Sequence, residues 1–361
     1  MPRFPNADTE PAEVRRVARF AAASGRLDAV LAADTSIGLS RTRLKALIGA
    51  GAVTVNGGEV RDPSVRITAG DRIALELPPA TDPAPRGEDI RLDILYEDDE
   101  LIVIDKPAGM VVHPAPGHAA GTLVNALIHH CGAGLTGIGG VRRPGIVHRL
   151  DMNTSGVMVA AKTERAMASL GAQFADHGRS GLERAYYAIV WGCPTSKRGV
   201  IDAPLGRSPA NRLRRAVVDA GASDAKPAVT EYRVLEAYRA SDRSEPVAAF
   251  LECRLRTGRT HQIRVHMAHF GYPLIGDREY GAGMKTKAAR LAEPAAGTAR
   301  NFARQALHAF LLVLEHPATA RTLRFQSAPP ADFRQLRDAL DAESDILRAA
   351  PYANFMLQSH K

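Results

Sequence analysis

The sequence predicts an α+β protein of two units, a small N-terminal one joined to a larger one built on a mixed, largely antiparallel sheet. Three observations carry this. The run Pro78-Pro79-Ala80-Thr81-Asp82-Pro83-Ala84-Pro85-Arg86-Gly87 can continue neither a helix nor a central strand, so it reads as a stiff linker. Downstream of it, strand-like runs do not alternate regularly with helices, which disfavours a doubly wound parallel layout. Upstream, Val53-Thr54-Val55-Asn56-Gly57-Gly58 is a strand entering an Asn-Gly turn, a strong short-range hairpin signal. At 361 residues, 45% of them apolar, the chain has room for two or three domains and enough apolar surface for a sizeable core.

Taken in order, residues 1–24 read as a weakly ordered lead-in with an amphipathic patch around 14–20, and residues 25–77 as the small domain. Leu27, Val30 and Leu31 fall at helical spacing. Ser40 is placed to cap a second helix that carries Arg41, Arg43 and Lys45 opposite Leu44, Leu47 and Ile48. Residues 72–77 close the unit as a strand, and 78–87 form the linker. In the large domain, 88–340, strands are expected at 101–105, 156–162, 185–191, 229–238 and 247–255. Helices are expected at 123–128 and at 164–177, the latter through Met167, Leu170 and Phe174. Residues 331–349 read as a charged helix, running into a C-terminal tail over 341–361. The basic stretch 206–226 and the alanine-rich stretch 281–300 read as loops, each a candidate for contact with a polyanion or a plain solvated surface.

A formal charge of +8 favours a polyanionic partner, because clustered Lys and Arg release counterions from phosphates. The three cysteines, Cys131, Cys193 and Cys253, match no zinc spacing and read as free thiols. No run is apolar enough for a signal peptide or a membrane span, so a cytoplasmic location is expected.

Two tempting motifs fail on context. Gly132, Gly134 and Gly137 follow a helix and precede more glycine, where a dinucleotide loop needs a strand before and a helix after. His261, His266 and His269 lack the interval of a zinc helix, so no metal site is expected. Ser155 has no nucleophile-elbow frame and reads as structural.

The segment His148-Arg149-Leu150-Asp151-Met152-Asn153-Thr154-Ser155-Gly156 is more informative. It presents one carboxylate in a tight loop ahead of an apolar strand. Asp151 is either a turn-capping group beside Thr154 and Ser155 or a reactive one. Arg264 bears on that choice. It lies in a helix whose apolar face is Ile263, Met267 and Phe270, and an arginine paired with a carboxylate keeps it ionised and orients it. Tyr186 begins a strand, where its ring either packs or serves as a plate for a flipped nucleobase.

In these motifs, residues 90–340 resemble the RluA-type family of RNA pseudouridine synthases. The resemblance rests on His148-Arg149-Leu150-Asp151 with Thr154-Ser155-Gly156, on Arg184-Ala185-Tyr186, and on Thr257-Gly258-Arg259-Thr260-His261-Gln262-Ile263-Arg264-Val265-His266. Asp105-Lys106-Pro107, Val112-His113-Pro114, Gly276-Asp277 and Leu307-His308-Ala309 add to it. Residues 25–77 are similar to a small RNA-binding domain, αL-like, shared with a ribosomal protein and some tRNA synthetases. The whole is most similar to the family's large-subunit rRNA subgroup D, with subgroup C as the sibling alternative and a non-catalytic assembly factor as another.

The resemblance implies isomerisation of uridine to pseudouridine in large-subunit ribosomal RNA, free or in an assembling subunit, without cofactor or metal. Asp151 would attack C6 of the base or C1′ of the ribose, and Arg264 would pair with it. Tyr186 would stack on the base and help remove the C5 proton. Arg149 would take the place of the extruded nucleotide, with His148 and Thr154 at the substrate and Arg41, Arg43 and Lys45 on RNA.

Overall fold

A computed structural model describes residues 15–34, 41–77, 85–115, 117–132, 135, 144–176, 181–239, 245–281, 284–342 and 347–348. The chain divides into two compact units, 1–83 and 84–361.

In the first unit the elements run β1 (Arg15–Phe20), β2 (Gly25–Arg26), α1 (Leu27–Ala33), α2 (Arg41–Gly49), β3 (Val53–Val55), β4 (Gly58–Glu59), β5 (Arg66–Ile67) and β6 (Arg72–Leu77). Leu27 and Leu31 of α1 and Leu44, Leu47 and Ile48 of α2 share one face at i, i+3, i+4 spacing and meet Val53, Ile73 and Leu75 in a single core. Asn56 and Gly57 take φ of 51° and 87°, the conformation of the hairpin turn that matches strand twist. The expected lead-in is corrected here. Residues 15–20 pair with β6 along its whole length, from Arg15 opposite Leu77 to Phe20 opposite Arg72. Without them one edge of β6 would carry a row of unpaired N–H and C=O groups. Ser40, the expected cap, lies outside the described residues, as do 78–84 of the linker.

The second unit opens with β7 (Ile94–Glu97), β8 (Leu101–Lys106), α3 (Leu123–Cys131), β9 (Ser155–Ala161), α4 (Glu164–Ala175) and β10 (Glu183–Trp191). It continues through β11 (Arg198–Asp202), β12 (Leu205–Arg207), β13 (Arg215–Val217), β14 (Val229–Tyr238), β15 (Ala248–Leu255) and α5 (Gln262–His269). It ends with α6 (Met284–Ala288), α7 (Ala295–Asn301), β16 (Leu307–Glu315), β17 (Thr322–Gln326), α8 (Ala331–Ala342) and β18 (Leu347–Arg348).

One sheet runs β11-β14-β15-β10-β16-β9-β8-β7, with β17 added on β16 and β18 on β14. Every pair in it is antiparallel except β16 with β9. That parallel contact joins His308 to Ser155 and Ala309 to Gly156. Gly156 permits it: its φ is 118°, and a Cβ there would lie 2.2 Å from the Ala309 carbonyl oxygen. The strand that follows the Asp151 loop is thereby fixed to the middle of the sheet.

Both faces of the sheet are covered. On one, Tyr186, Ala188 and Val190 of β10 join Leu123 and Leu127 of α3 and Leu170 of α4. On the other, Ile189 and Trp191 meet Ala295 and Ala299 of α7 and Phe333, Leu336 and Leu340 of α8. Three expectations change in this unit. The stretch 281–300 contains α6 and α7, because its alanines let the backbone approach α8 closely and alanine is the best helix former. Within 206–226, β12 and β13 form a two-stranded ribbon that pairs Leu205 with Val217 and Arg207 with Arg215. The C-terminal helix stops at Ala342, and Leu347 and Arg348 pair with Ala237 and Glu236 as a strand.

The cysteines are free thiols. No helix among the described residues is long and apolar enough to cross a membrane.

Candidate active site

Asp151 sits on the loop that enters β9, and four side chains from elsewhere immobilise that loop. Lys106, fully buried at the end of β8, donates from Nζ to the carbonyls of Pro107 (2.7 Å), Met110 (3.0 Å) and Met152 (3.0 Å). Burial pulls its pKa down to about 7. Arg304 donates to the Asn153 carbonyl at 3.2 Å and is itself gripped by both oxygens of Asp332. Gln305 donates to the Thr154 hydroxyl at 3.0 Å, His308 Nδ1 meets the Ser155 hydroxyl at 3.0 Å, and Leu150 is buried in the core. The Thr154 N–H closes the turn onto the Asp151 carbonyl at 3.0 Å.

The opposite wall is the turn 257–261 and helix α5. Gln262 organises the turn: its Oε1 accepts from the Thr257 hydroxyl and the Arg259 N–H, and its Nε2 donates to Val229 and Thr230. Arg264, the third residue of α5 and buried, is the hub. Its Nη1 donates to Asp151 Oδ2 at 3.1 Å. Its Nε and Nη2 grip Asp277 at 2.7 and 3.0 Å, and Nη2 also reaches Glu279 at 3.0 Å. The Tyr280 ring lies 4.9 Å beneath the guanidinium.

Burial works against the Arg264 charge, but the carboxylates of Asp277 and Asp151 more than offset it and raise its pKa. Burial likewise works against Asp277, and the hydrogen bonds from Arg264 hold it below the usual carboxylate range. Asp277 Oδ1 also accepts the N–H groups of Glu279 and Tyr280 at 3.0 and 3.1 Å. The fork of Arg264 is therefore set by Asp277, and Asp151 takes the remaining nitrogen. His261 Nε2 stands 3.8 Å from Asp151 Oδ1, within charge range but too far for a hydrogen bond.

Asp151, Arg264, Tyr186, Arg149 and His261 line one cleft of about 520 Å³, within the range of small-molecule sites. Tyr186 is largely buried on β10, and burial pushes its phenol up to about 12. Such a phenol keeps its proton near neutrality. Arg149 is exposed and makes no hydrogen bond among the described residues.

Two residues expected at the substrate, Thr154 and His148, line the cleft with polar groups committed within the protein. Thr154 is 1% exposed with its hydroxyl committed to Gln305, so it braces the loop. His148 stacks on Phe174 at 4.3 Å, and its Nε2 accepts the Val159 N–H at 3.1 Å. Burial, aided by the Arg184 charge, drives His148 down to about 3, so it stays neutral and holds the loop to β9. Phe270, expected on the apolar face of α5, follows its end and is 43% exposed. Arg41 and Lys45 lie in the small unit, half-exposed, at 3.1 and 3.5 Å from the buried carboxylate of Asp28. The Arg43 side chain lies outside the described residues. Asp277, Glu279, Tyr280, Lys106, Arg304 and Gln262 were given no role by the sequence, although Lys106, Gln262 and Asp277 stand inside its motifs.

Among the described residues no cluster of His, Cys, Asp and Glu has the arrangement of a metal site. His266 is committed to the Thr230 hydroxyl and the Ala203 carbonyl.

Residues 100–269 match the family model of RNA pseudouridylate synthase, and residues 25–73 match the S4 domain. Ribosomal large subunit pseudouridine synthase D of Zymomonas mobilis is 46% identical over 312 residues, 86% of this chain and 92% of that protein. The protein of the same name from Pseudomonas aeruginosa is 46% identical over 83% of this chain and 88% of its own length. Among solved structures, human RNA pseudouridylate synthase domain containing 4 superposes with a TM-score of 0.50 at 26% identity. That match covers 69% of this chain and 93% of the human one.

Proposed function

The chain belongs to the RluA-type family of RNA pseudouridine synthases, and on that premise we propose that it isomerises uridines of large-subunit ribosomal RNA with Asp151 as nucleophile. The observation that carries the assignment of Asp151 is its bond to Arg264, a cation already fixed by Asp277. This arrangement ties down Oδ2 and leaves Oδ1 as the oxygen that faces substrate.

In the reaction the N1–C1′ bond breaks and a C5–C1′ bond forms. The proton on C5 is lost and N1 ends protonated, so atoms and electrons are conserved and no redox partner enters the balance. The carboxylate bonds transiently to C6 of the base or C1′ of the ribose, dividing a difficult exchange into easier steps. The Tyr186 ring stacks on the base. Arg149, at the mouth of the cleft, fills the gap left in the RNA by the flipped nucleotide, a role that suits a planar cation.

The S4 domain brings Arg41, Arg43 and Lys45 to the RNA as a second foothold, with 78–87 as the linker. The names of the relatives support large-subunit rRNA as substrate, and the work is then cytoplasmic, on free rRNA or the assembling subunit.

The test is Asp151→Asn assayed on ribosomal RNA from a strain lacking the enzyme. The variant is expected to bind this RNA with wild-type affinity and to form no pseudouridine. Wild-type turnover by the variant refutes the assignment.

A further inference from the structure

The cleft holds a second buried arginine, whose position none of the chemistry above uses. Arg184 is 8% exposed on β10, two residues before Tyr186 on the same face of the strand. Residues so spaced stand about 7 Å apart along a strand, comparable to the span from a base to the phosphate of its own nucleotide. Its guanidinium lies 5.5 Å from the Phe174 ring. No carboxylate among the described residues is within ion-pair distance of it, and its buried Nε has no hydrogen-bond partner.

A buried cation left in this state is costly. The contrast with Arg264, which is matched by three carboxylates, is sharp. The backbone also makes room for the group: a Cβ on Gly258 would stand 2.4 Å from Arg184 Nη1. Gly258 and Arg184 line the same cleft as Asp151.

We propose that Arg184 binds a phosphate oxyanion of the target nucleotide and so positions the ribose of the flipped uridine against Asp151. The proposal rests on the nucleotide reading of the cleft given above. A guanidinium presents N–H groups in a fork that matches phosphate oxygens, and the incoming anion supplies a counter-charge at contact distance where the described residues offer only the more distant Asp176. A uracil carbonyl, being neutral, would leave the charge unmatched.

The test uses the full chain and an RNA fragment that the wild-type enzyme converts. This fragment is resynthesised with a neutral methylphosphonate in place of the phosphodiester on the 5′ or the 3′ side of the target uridine. Arg184→Met on natural RNA is expected to lower kcat/KM by about tenfold to a hundredfold, the scale of a charged hydrogen bond. The neutral linkage on one side should impose a similar loss on wild type and no further loss on Arg184→Met. Arg184→Lys should recover part of the activity on natural RNA, and the salt slope of binding should fall by about one phosphate in Arg184→Met.

Gly258→Ala crowds only the end of the guanidinium and should also blunt the sensitivity to the neutral linkage. It keeps the test open if Arg184→Met does not fold. Losses that simply add at both linkages in an active variant overturn the proposal. Absence of pseudouridine with wild type on ribosomal RNA instead sinks the functional reading on which the proposal stands.

Discussion

Replacing Arg264 by methionine separates what holds the cleft together from what reacts in it. The change keeps much of the side chain's length and deletes a charge that makes four hydrogen bonds to three carboxylates. Asp277, 1% exposed, is then a buried carboxylate without its cation. Breaking a buried pair from one side costs about 3–5 kcal/mol. For a unit of this size each kcal/mol moves the melting temperature by about 2–4 °C, so a drop of about 10 °C is expected.

The pH dependence fixes the sign. In wild type the Asp277 pKa lies below its ordinary value, so its contribution is full above about pH 4 and fades as pH falls below that. In Arg264→Met the same carboxyl is desolvated and unpaired, so its pKa rises and it takes up a proton in mild acid. The stability gap between wild type and variant should therefore narrow from pH 7 to pH 4. Adding Asp277→Asn removes the orphaned charge while leaving an oxygen for the N–H groups of Glu279 and Tyr280. The double variant should regain part of the melting temperature and none of the activity. Differential scanning calorimetry across pH, with pseudouridine assays on the same samples, decides the matter. A melt within roughly 1 °C of wild type, or a gap unchanged at pH 4, refutes the reasoning.

Gly156→Ala forces a Cβ to 2.2 Å from the Ala309 carbonyl at a φ of 118°, so the one parallel contact of the sheet must open. A loss of about 3 kcal/mol or more in urea unfolding is expected, and a wild-type midpoint would show the contact to be dispensable. His308, fully buried between the Ser155 hydroxyl and the Ser327 carbonyl, is driven down to about 4 by burial, against 6.5 for the free group. The unfolded chain therefore binds a proton first, and about 3 kcal/mol of stability should disappear as pH falls from 6.5 to 4. His308→Gln should flatten that part of the urea profile; a variant profile as steep as wild type contradicts the assignment.

The parts of the fold that show in the sequence are those whose signal is local. The run 101–104 is apolar because β8 is buried between two strands, and α4 shows its period because one face meets the core. Asn56-Gly57 declares a turn by the backbone conformations it tolerates. The parts that do not show are set by partners far along the chain. Strand β1 exists because β6, more than fifty residues later, has an edge to fill. The alanines of α7 resemble a small-residue loop until α8 lies against them. The β12–β13 ribbon is only three residues deep on each side, too short for a period to register.

The candidate site divides in the same way, and the division bears on how its two buried arginines work. Asp151, Tyr186 and Arg264 stand in motifs that the sequence marks, but nothing in spacing tells that Asp277 sets the fork of Arg264 or that Arg184 has no carboxylate within ion-pair distance among the described residues. Those facts belong to three-dimensional placement. Arg264 is bound three times over before any substrate arrives, so an entering anion gains little from it, and moving it would break pairs already made. It is suited to holding Asp151 still. Arg184 is desolvated, its Nε has no hydrogen-bond partner and Asp176 acts on it only from beyond ion-pair distance, so an entering anion gains most from it, and its binding energy is realised with RNA in the cleft. Uridine in the free nucleoside lacks that anion. The enzyme should therefore discriminate for uridine within a phosphodiester chain through Arg184, and should owe its reactivity to the geometry that Arg264 and Asp277 impose on Asp151.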